Sequence, residues 1–375
     1  MKIKAIEPTP SPNTMKVLLD EELSFGTRNN YSKENAHTAP AVIQSILTIE
    51  GVKGVYHVAD FLAVERNPKY DWKFILQNVR AVFGETESVE AKEKVSHFGE
   101  VKVFVQELYD IPMQVKLTDG EKDQRFGLPD YFKASIMKLQ FATPNVVKER
   151  KWSEKGTRYG EFEEIGQEVV EELTAAFPEK RVQSLVDELL QQSTNHEITV
   201  KERESFQVTM DMMENPDWKT RYAALEQMNP SEQDIPVLAK AIKDEKVSIR
   251  RLATAYLGMV KGKEVLPMLY HALKDKAVSV RRTAGDCLSD IGAKEAIPAM
   301  TEALGDPSKL VRWRAAMFLF EEGDERALPA LKHAEQDSEF EVAMQARLAA
   351  SRIEGGEEAK GSVWKQMTQS RSTDE

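Results

Sequence analysis

Four prolines recur at a spacing of 31 residues in the C-terminal half of the chain: Pro236, Pro267, Pro298 and Pro329. Each follows an apolar residue and opens a segment that ends in an aspartate with the same period. A fixed period in this range is typical of a solenoid, in which each unit buries its apolar face against its neighbours. The residues that keep the register are Asp244, Asp275, Asp306 and Asp337, then Arg250, Arg281 and Arg312, then Ala253, Ala284 and Ala315, and finally Leu257, Leu288 and Leu319.

Each residue that recurs with the 31-residue period has a predicted structural role in a helical hairpin. The proline suits the first turn of helix A, where its missing N–H costs no hydrogen bond. The aspartate is placed to accept backbone N–H groups at the start of helix B. The arginine is expected to bond the acid of the neighbouring repeat. A less regular unit around Met213 and Tyr222 precedes Pro236, which gives about five hairpins up to Gly355.

The overall charge and the cysteine count narrow the classes of function. The net charge of -11 argues against a general nucleic-acid binder, which usually has a basic face. A single cysteine, Cys287, excludes an intramolecular disulfide framework and any multi-cysteine metal site made by one chain. We interpret Cys287 as a buried core thiol. No apolar leader and no run of about 18 apolar residues is present, so we expect a cytoplasmic protein without a membrane span.

The first 86 residues predict a small α+β domain with the element order ββαββα. The proline-rich stretch at 8–13 is unsuited to a helix and is expected to form an extended lead-in or turn. The predicted elements are a strand at 15–19, an assumed strand at 23–26, a helix after Pro40 that Gly51 ends, two strands at 52–57 and 60–65, and a helix capped by Asp71.

This module resembles the Nfu/NifU N-terminal domain. The resemblance rests on TPSPNTMK at 9–16, IEGVKGV at 49–55 and DFLAV at 60–64, together with Trp72. In that family the module usually precedes a second domain whose Cys-x-x-Cys holds a nascent iron–sulfur cluster. Such a domain is absent here, because the chain has only Cys287. The resemblance therefore implies an accessory or docking role linked to iron, with no cofactor held by this chain except through a partner.

Residues 95–178 predict a second α+β domain. Strands at 101–105 and 113–117, a helix at 131–139, short strands near Val146 and Tyr159, and a helix at 165–177 again indicate ββαββα, so we expect a diverged copy of the first module. A helix at 182–190 is expected to cap the solenoid. Seven residues form a basic cluster with an aromatic, interpreted as a solvated face balanced by glutamates, with a phosphate grip as the alternative. They are Arg125, Lys148, Arg150, Lys151, Trp152, Lys155 and Arg158.

The repeats resemble HEAT-like repeats, through the pattern of an aspartate followed by Val-x-x-Arg-x-x-Ala-x-x-x-Leu. The whole chain, with its Nfu-like module first and its repeats last, resembles the conserved virulence factor C family of bacterial cytoplasmic proteins. That resemblance implies a regulatory role in virulence-factor expression. The predicted fold class is an α+β N-terminal half followed by an all-α HEAT-like α-solenoid. The predicted domains are 1–86, 95–178 and 180–355, with a mobile tail at 356–375.

The repeats also supply the candidate site residues. The arginines that follow the ladder position would recur along one edge, so Arg251, Arg282 and Arg314, with Trp313, are the candidates for contact with a partner. No catalytic, cofactor-binding or metal-binding residue is assigned. The His196-Glu197 pair stands alone outside the regular repeats, and a di-iron enzyme of the HEAT-like type needs several such pairs. The histidines on the repeat helices, His271 and His333, are isolated.

Three functional hypotheses follow. The first is a non-enzymatic adaptor whose repeats and α+β part each bind a protein. The second is an iron–sulfur-related accessory that handles iron through a dimer or a partner, such as an iron–sulfur assembly or target protein. The third is a regulator that contacts nucleic acid or phosphate through the locally basic stretch between Lys240 and Arg282. The acidic balance of the whole chain disfavours the third.

Overall fold

The computed structural model describes residues 2–9, 11, 13–23, 28–85, 100–120, 122–142, 146–193 and 206–356. The chain divides into two compact units. The first unit is Met1–Phe98 with Leu288–Glu375, and the second unit is Gly99–Cys287. Each unit contains one antiparallel sheet and part of the helical repeats, so the predicted fold class, an α+β half followed by all-α repeats, is confirmed.

The sheet of the first unit has five strands in the order β1-β2-β5-β4-β3. The predicted strand at 15–19, the first helix, the hairpin and the final helix are confirmed. The strand β1 was not predicted, and the strand before the first helix begins at Arg28, whereas the assumed strand at 23–26 falls mostly outside the described residues. The elements are β1 (Ile3–Pro8), β2 (Thr14–Leu19), β3 (Arg28–Ser32), α1 (Ala41–Thr48), β4 (Val52–Val58), β5 (Phe61–Arg66) and α2 (Trp72–Val82), with a 3-10 helix at Ala36–Thr38.

Local signals explain why these elements form where they do. Met15, Val17 and Leu19 alternate along β2 and are buried in the core that the helices cover. The Asp71 side chain accepts a hydrogen bond from the backbone N–H of Lys73 at 2.8 Å, which caps α2 as predicted. These signals are all local to the module.

One glycine in the module has a specific reason to be glycine. Gly51 has φ +89°, and a Cβ atom at this position would lie 2.5 Å from the Cβ of Tyr70. Both the positive φ and the close approach exclude a larger residue without rearrangement. The backbone conformation therefore requires glycine at position 51, the first of the two glycines in the IEGVKGV block.

The sheet of the second unit has four strands in the order β8-β7-β6-β9. Three strands form a meander, and the fourth returns to pair with β6 after two helices. Its elements are β6 (Glu100–Leu108), β7 (Ile111–Thr118), β8 (Asp123–Gly127), α3 (Asp130–Ala142), α4 (Val146–Glu149), β9 (Arg150–Tyr159), α5 (Phe162–Ala176) and α6 (Glu179–Ser193).

The predicted order ββαββα for this segment is wrong, because β8 adds a third strand before the helix, and two further details also differ. Tyr109 and Asp110 both have positive φ and make a tight turn, so Ile111 and Pro112 begin β7 and do not form a loop. The charged segment 150–159 forms one long strand where only a short strand near Tyr159 was predicted, and 146–149 is a helical turn. Pairing with β6 along the length of β9 overrides the weak strand preference of its lysines and glutamates.

The two sheets do not share a strand order among the described residues. In the first sheet the two strands of the hairpin that follows α1 lie in the middle, whereas the second sheet has a meander with a late fourth strand at its edge. This topology does not support the interpretation of the second domain as a diverged copy of the first. The error came from matching element order, which says nothing about which strands pair.

The second sheet packs one face against α5. Val101, Val103 and Val105 of β6 join Ile165 and Val169 of α5 in this core. Helix α5 also packs on α7 (Trp218–Glu226), the first full helix of the repeats. Helix α6, which is expected to cap the solenoid, packs mainly on α3, and its Arg181 lies 3.2 Å from Glu226 of α7. Within this unit, α5 makes the more extensive contact with the start of the repeats.

The repeats form the predicted helical hairpins. All four prolines lie within the first two positions of their A helices, as predicted. The less regular first unit begins with a 3-10 helix, Asp211–Glu214, in place of a full helix A. The remaining helices are α8 (Ile235–Ala241), α9 (Val247–Met259), α10 (Leu266–Ala272), α11 (Val278–Ile291), α12 (Ile297–Ala303), α13 (Lys309–Glu322), α14 (Leu328–Ala334) and α15 (Phe340–Glu354), with 3-10 helices at Glu232–Asp234, Lys294–Ala296 and Glu325–Ala327.

The domain boundaries stay predictions. The boundary near 178–180 falls between α5 and α6, yet the packing of α6 on α3 ties it to the second sheet. Residues 87–94 between the first two predicted domains, the His196-Glu197 pair and the predicted tail at 357–375 lie outside the described residues.

Candidate partner-binding sites

Arginine–aspartate pairs connect successive repeats. Arg250 contacts Asp275 through Nε at 2.7 Å and through Nη2 at 3.0 Å, and its Nη1 donates to the carbonyls of Asp244 and Glu245 at 2.9 Å. This two-pronged geometry suits the planar guanidinium and fixes the spacing of the two hairpins. The same pattern joins Arg312 to Asp337 and Arg221 to Asp244.

The aspartates also accept a backbone N–H where each B helix begins. The Asp275 side chain accepts from the backbone N–H of Ala277 at 2.7 Å, and the equivalent aspartates do the same two residues on. The predicted roles of the aspartates are confirmed, as is the pairing of Arg250 and Arg312 with the next repeat. Arg281 donates to the carbonyls of Asp275 and Lys276. The missed member of this ladder is Arg221, which lies 29 residues before Arg250 and so breaks the 31-residue period.

The position after the ladder arginine contacts an α+β domain. The Arg251 guanidinium donates through Nη2 to both carboxylate oxygens of Glu172, at 2.9 and 3.1 Å. Glu172 lies on α5 and is also bound by Arg158 of β9, whose Nη2 lies 2.5 Å from Oε2. Arg158 additionally pairs with Glu168 at 2.8 Å. One buried carboxylate is thus held between a sheet arginine and a repeat arginine.

The electrostatics of this cluster favour its charged form. Burial by itself raises the pKa of Glu172, but the positive charges of Arg251 and Arg158 outweigh burial and lower the pKa to about 2. Burial lowers the pKa of Arg251, and the Glu172 charge more than reverses this. Tyr222 is buried beside the cluster, and burial raises the pKa of its hydroxyl.

Arg282, 31 residues after Arg251, makes the equivalent contact. Its Nη2 donates to the Tyr159 hydroxyl at 3.2 Å, its guanidinium lies 5.1 Å from the Tyr159 ring centroid, and its Nη1 bonds Asp286. Burial raises the pKa of Tyr159. Tyr159 is the last residue of β9, so Arg282, like Arg251, contacts the second α+β domain.

In the first unit the same register position is apolar. Trp313 is 2% exposed and packs with Leu310, Met317 and Val342. Met344, the next residue in register, packs with Phe340 against the core of the first sheet. The repeat position therefore contacts an α+β domain at Arg251, Arg282 and Met344.

The role of the candidate residues in binding a partner stays a prediction, and the structure shows what they contact within the chain. Arg282, Trp313 and Arg314 are buried, and the side chain of Arg251 is 20% exposed and paired with Glu172. The sequence indicated correctly that Arg251 and Arg282 form a recurring edge. It gave no sign that the edge is occupied by a domain of the same chain, because that contact joins residues far apart in sequence.

A second buried ion pair, which sequence reasoning missed, lies in the first unit. Arg66 of β5 is 2% exposed, and its Nη2 lies 2.7 Å from Glu341 at the start of α15. Its Nε donates to Asn13 Oδ1 at 3.3 Å, its Nη1 donates to the Tyr70 carbonyl at 3.1 Å, and its guanidinium lies 5.0 Å from the Trp72 ring centroid. Asn13 and Trp72 carry the Nfu/NifU resemblance, so these motif residues here orient an arginine toward a repeat.

A cavity of about 600 Å³ lies in the second unit between the α5 face of the sheet and the repeats. Glu107 accepts from Ser153 at 2.5 Å and pairs with Lys155 at 2.7 Å, and the Arg251–Glu172 pair lies at the same cavity. Its apolar wall includes Val103 and Val105. The cationic groups named here each have an acidic partner.

Four members of the predicted basic cluster are divided between the two faces of the sheet, and Lys148 lies on α4. Lys155 and Arg158 lie on the α5 side and pair with acids. Arg125 and Trp152 lie on the other side, with the guanidinium 5.8 Å from the ring centroid. The interpretation as a balanced face therefore holds for the α5 side only.

The remaining candidate residues, the cysteine and the histidines of the repeats, form no further site among the described residues. Cys287 is buried and contacts the Thr254 carbonyl, as expected of a core thiol. His271 and His333 are exposed on α10 and α14. Within the described ranges, no group of three or more His, Cys, Asp or Glu side chains is arranged to hold a metal ion. Among the helices of those same ranges, none has both the length and the apolar character needed to cross a membrane.

Comparisons with known proteins agree with this architecture. A family model described as "Scaffold protein Nfu/NifU N terminal" matches residues 3–90, one described as "Virulence factor" matches 106–186, and one described as "HEAT repeats" matches 206–285 and 272–351. These matches confirm the resemblances of the N-terminal module and of the repeats.

Relatives match along the whole chain. An uncharacterized Bacillus subtilis protein, YpgR, is 65% identical over 100% of both chains. Proteins named conserved virulence factor C are 44% identical in Staphylococcus saprophyticus, over 98% of both chains, and 51% identical in Staphylococcus aureus, over 98% of this chain and 99% of the relative. The order of the domains and this full-length similarity show that the chain belongs to the conserved virulence factor C family.

Proposed function

We propose that this protein is a non-enzymatic scaffold that binds protein partners, in a regulatory role connected with virulence-factor expression. The observation that carries the proposal is the Glu172 cluster, in which the repeats hold an α+β domain through Arg251. A buried ion pair is weak evidence of stability, but it can specify a single docking geometry. Repeats that hold a domain in one geometry supply a fixed surface for a partner.

Two further features support this function. HEAT-type repeats present extended surfaces whose usual use is binding other proteins. The Nfu-like module, whose Asn13 and Trp72 surround Arg66, serves here as a domain that docks on α15 through Glu341. Asn13 and Trp72 thus position an arginine that contacts another part of the chain, which fits a binding role for the module and not a catalytic one.

Partner capture with the full-length chain tests the proposal. Tagged protein is expected to retain specific proteins from a lysate of its own host, and at least one of these, once purified, is expected to bind directly with a Kd of about 10 µM or tighter. Isothermal titration calorimetry gives the affinity and the stoichiometry. The proposal is wrong if no purified candidate binds, or if the purified protein converts a substrate.

The proposal includes the absence of a resident cofactor. Protein purified without oxygen is expected to contain far less than one iron per chain by metal analysis and to lack absorption bands of an iron–sulfur cluster. One iron or more per chain, retained through gel filtration, would instead favour an iron-related accessory function.

A further inference from the structure

The face of the second sheet that points away from α5 carries a row of aromatic and cationic side chains. Successive residues of a strand point to opposite faces, so Lys102 and Phe104 of β6 lie opposite the valines that pack under α5. The strand register aligns Phe104 with Lys116 of β7, and Lys116 with Arg125 of β8. Trp152 of β9 lies on the same face beside them. We call these five residues the cationic face.

Two aromatic rings form the centre of the cationic face. Lys116 Nζ lies 4.9 Å from the Phe104 ring centroid and 5.2 Å from the Trp152 ring centroid. The Arg125 guanidinium lies 5.8 Å from the Trp152 centroid. Trp152 is nevertheless 37% exposed, so part of a large apolar ring remains available to a ligand. The arrangement offers an aromatic surface bordered by positive charge.

The positive charge of this face is only lightly compensated. Lys102 and Arg125 are exposed, and neither pairs with a carboxylate in the part of the chain that the structure describes. Lys116 lies 3.9 Å from Asp123, whose side chain is 58% exposed. Of the acids on this face, Asp123 and Glu154 belong to the edge strands β8 and β9, and Glu100 lies at the start of β6, at the end of the row. A ligand with one or two negative groups at the middle of the sheet would therefore be attracted.

We propose that the cationic face binds a short acidic segment of a partner protein, with an apolar or aromatic side chain of that segment resting on Trp152. Its carboxylates would pair with Lys102, Lys116 and Arg125. The inference rests on the proposed scaffold function and names the partner chemistry. A polyphosphate strand fits less well, because its unbroken row of negative charges would pass Asp123 or Glu154 at the sheet edges, whereas a short acidic segment can end between them.

A charge reversal with a matched control tests the cationic face. The variant Lys102→Glu with Arg125→Glu changes two exposed side chains that have no described acidic partner, so the fold is expected to persist. The control, Lys133→Glu with Lys138→Glu, makes the same change in charge on exposed positions of α3. Circular dichroism and thermal melting establish that both variants are folded.

The binding measurement uses a purified partner captured by the wild-type chain. Cross-linking and mass spectrometry locate the bound segment, and synthetic peptides of that segment are compared with versions in which Asp and Glu become Asn and Gln. The charge-reversed variant is expected to bind at least about tenfold more weakly than the control, as is the neutral peptide to the wild type. Trp152→Leu is expected to weaken binding by a similar factor.

The possible failures are distinguishable. If a partner binds wild type and both variants within about twofold, the scaffold function stands and the cationic face is excluded as its site. A bound segment without acidic residues has the same consequence. If no purified partner binds the wild type, the scaffold function itself fails. If a fluorescent single-stranded RNA of 20 nucleotides binds the wild type and loses affinity with the charge reversal, the occupant is nucleic acid and the acidic segment is wrong.

Discussion

The two α+β domains are each joined to repeat helices of their own unit by a buried ion pair, but the polarity of the pair is reversed. In the first unit the domain supplies the arginine, Arg66, and the repeat supplies Glu341. In the second unit the domain supplies the acid, Glu172, and the repeat supplies Arg251. The repeats therefore supply the acid in one contact with an α+β domain and the arginine in the other.

The two ion pairs also differ in the other groups that contact the buried charge. Glu172 is a single carboxylate bound by two guanidiniums, those of Arg251 and Arg158. Arg66 has neutral partners besides Glu341, namely the Asn13 amide and the Tyr70 carbonyl. Loss of the acid should therefore be costlier in the second unit, where two buried cations would lose a shared partner.

The largest predicted effect is the loss of Glu172. Glu172→Leu should lower the free energy of unfolding by about 3–5 kcal/mol, because Arg251 and Arg158 would remain buried without their carboxylate. Urea denaturation followed by circular dichroism measures the change. Glu168→Gln on the same helix, which removes a more exposed partner of Arg158, should cost less than about 1 kcal/mol and serves as the control. Equal losses in both variants would contradict the comparison.

The loss of Glu341 should have a smaller effect. Glu341→Gln should destabilise the protein by about 2–3 kcal/mol, since Arg66 keeps its amide and carbonyl partners. Hydrogen exchange should become faster at the start of α15 and near Arg66, while the interior of the first sheet stays protected. An effect as large as that of Glu172→Leu would mean that the number of cations left unpaired does not set the cost.

The dependence of stability on pH sharpens the comparison further. The pKa of Glu172 is lowered from its ordinary value of 4.5 to about 2, so its stabilising contribution is complete above pH 4.5 and is lost as the pH falls toward 2. The difference in unfolding free energy between wild type and Glu172→Gln should shrink by about 1 kcal/mol per pH unit in this window. Urea denaturation at pH 6, 4 and 3 checks this. A difference independent of pH would show that Glu172 is not charged in the folded protein.

An exposed ion pair of the first unit provides the smallest expected effect. Arg80 lies 2.8 Å from Glu85, and both side chains are substantially exposed. Arg80→Ala should change the free energy of unfolding by less than about 0.5 kcal/mol, because solvent screens the pair. A loss comparable to that of Glu341→Gln would show that burial does not explain the difference between the two kinds of pair.

Much of the fold was predictable because its signals are local. The four prolines mark the A helices, the aspartates accept a backbone N–H where the B helices begin, and Asp71 caps α2. The failures occurred where pairing decides the structure. The charged segment 150–159 has little intrinsic preference for a strand, and only its register against β6 makes it one.

The candidate site was less predictable than the fold, for the same reason. The repeat period identifies Arg251 and Arg282 in the sequence. Nothing in the sequence shows that both contact the second α+β domain. Arg66 and Glu172 belong to no periodic pattern, so the residues at the centre of both contacts were missed. The only available hint was the presence of Asn13 and Trp72 in the Nfu-like blocks.

Sequence by itself determined the repeat, its helix starts and the ladder that joins one hairpin to the next. Arg250 and its partner Asp275 are 25 residues apart, less than one period, so a regular pattern carries both of them. Tertiary structure alone decided what the repeats hold. Arg251 and Glu172 are 79 residues apart, and Arg66 and Glu341 lie near opposite ends of the chain. Such pairs form only when separate domains pack, and no local or periodic constraint records them.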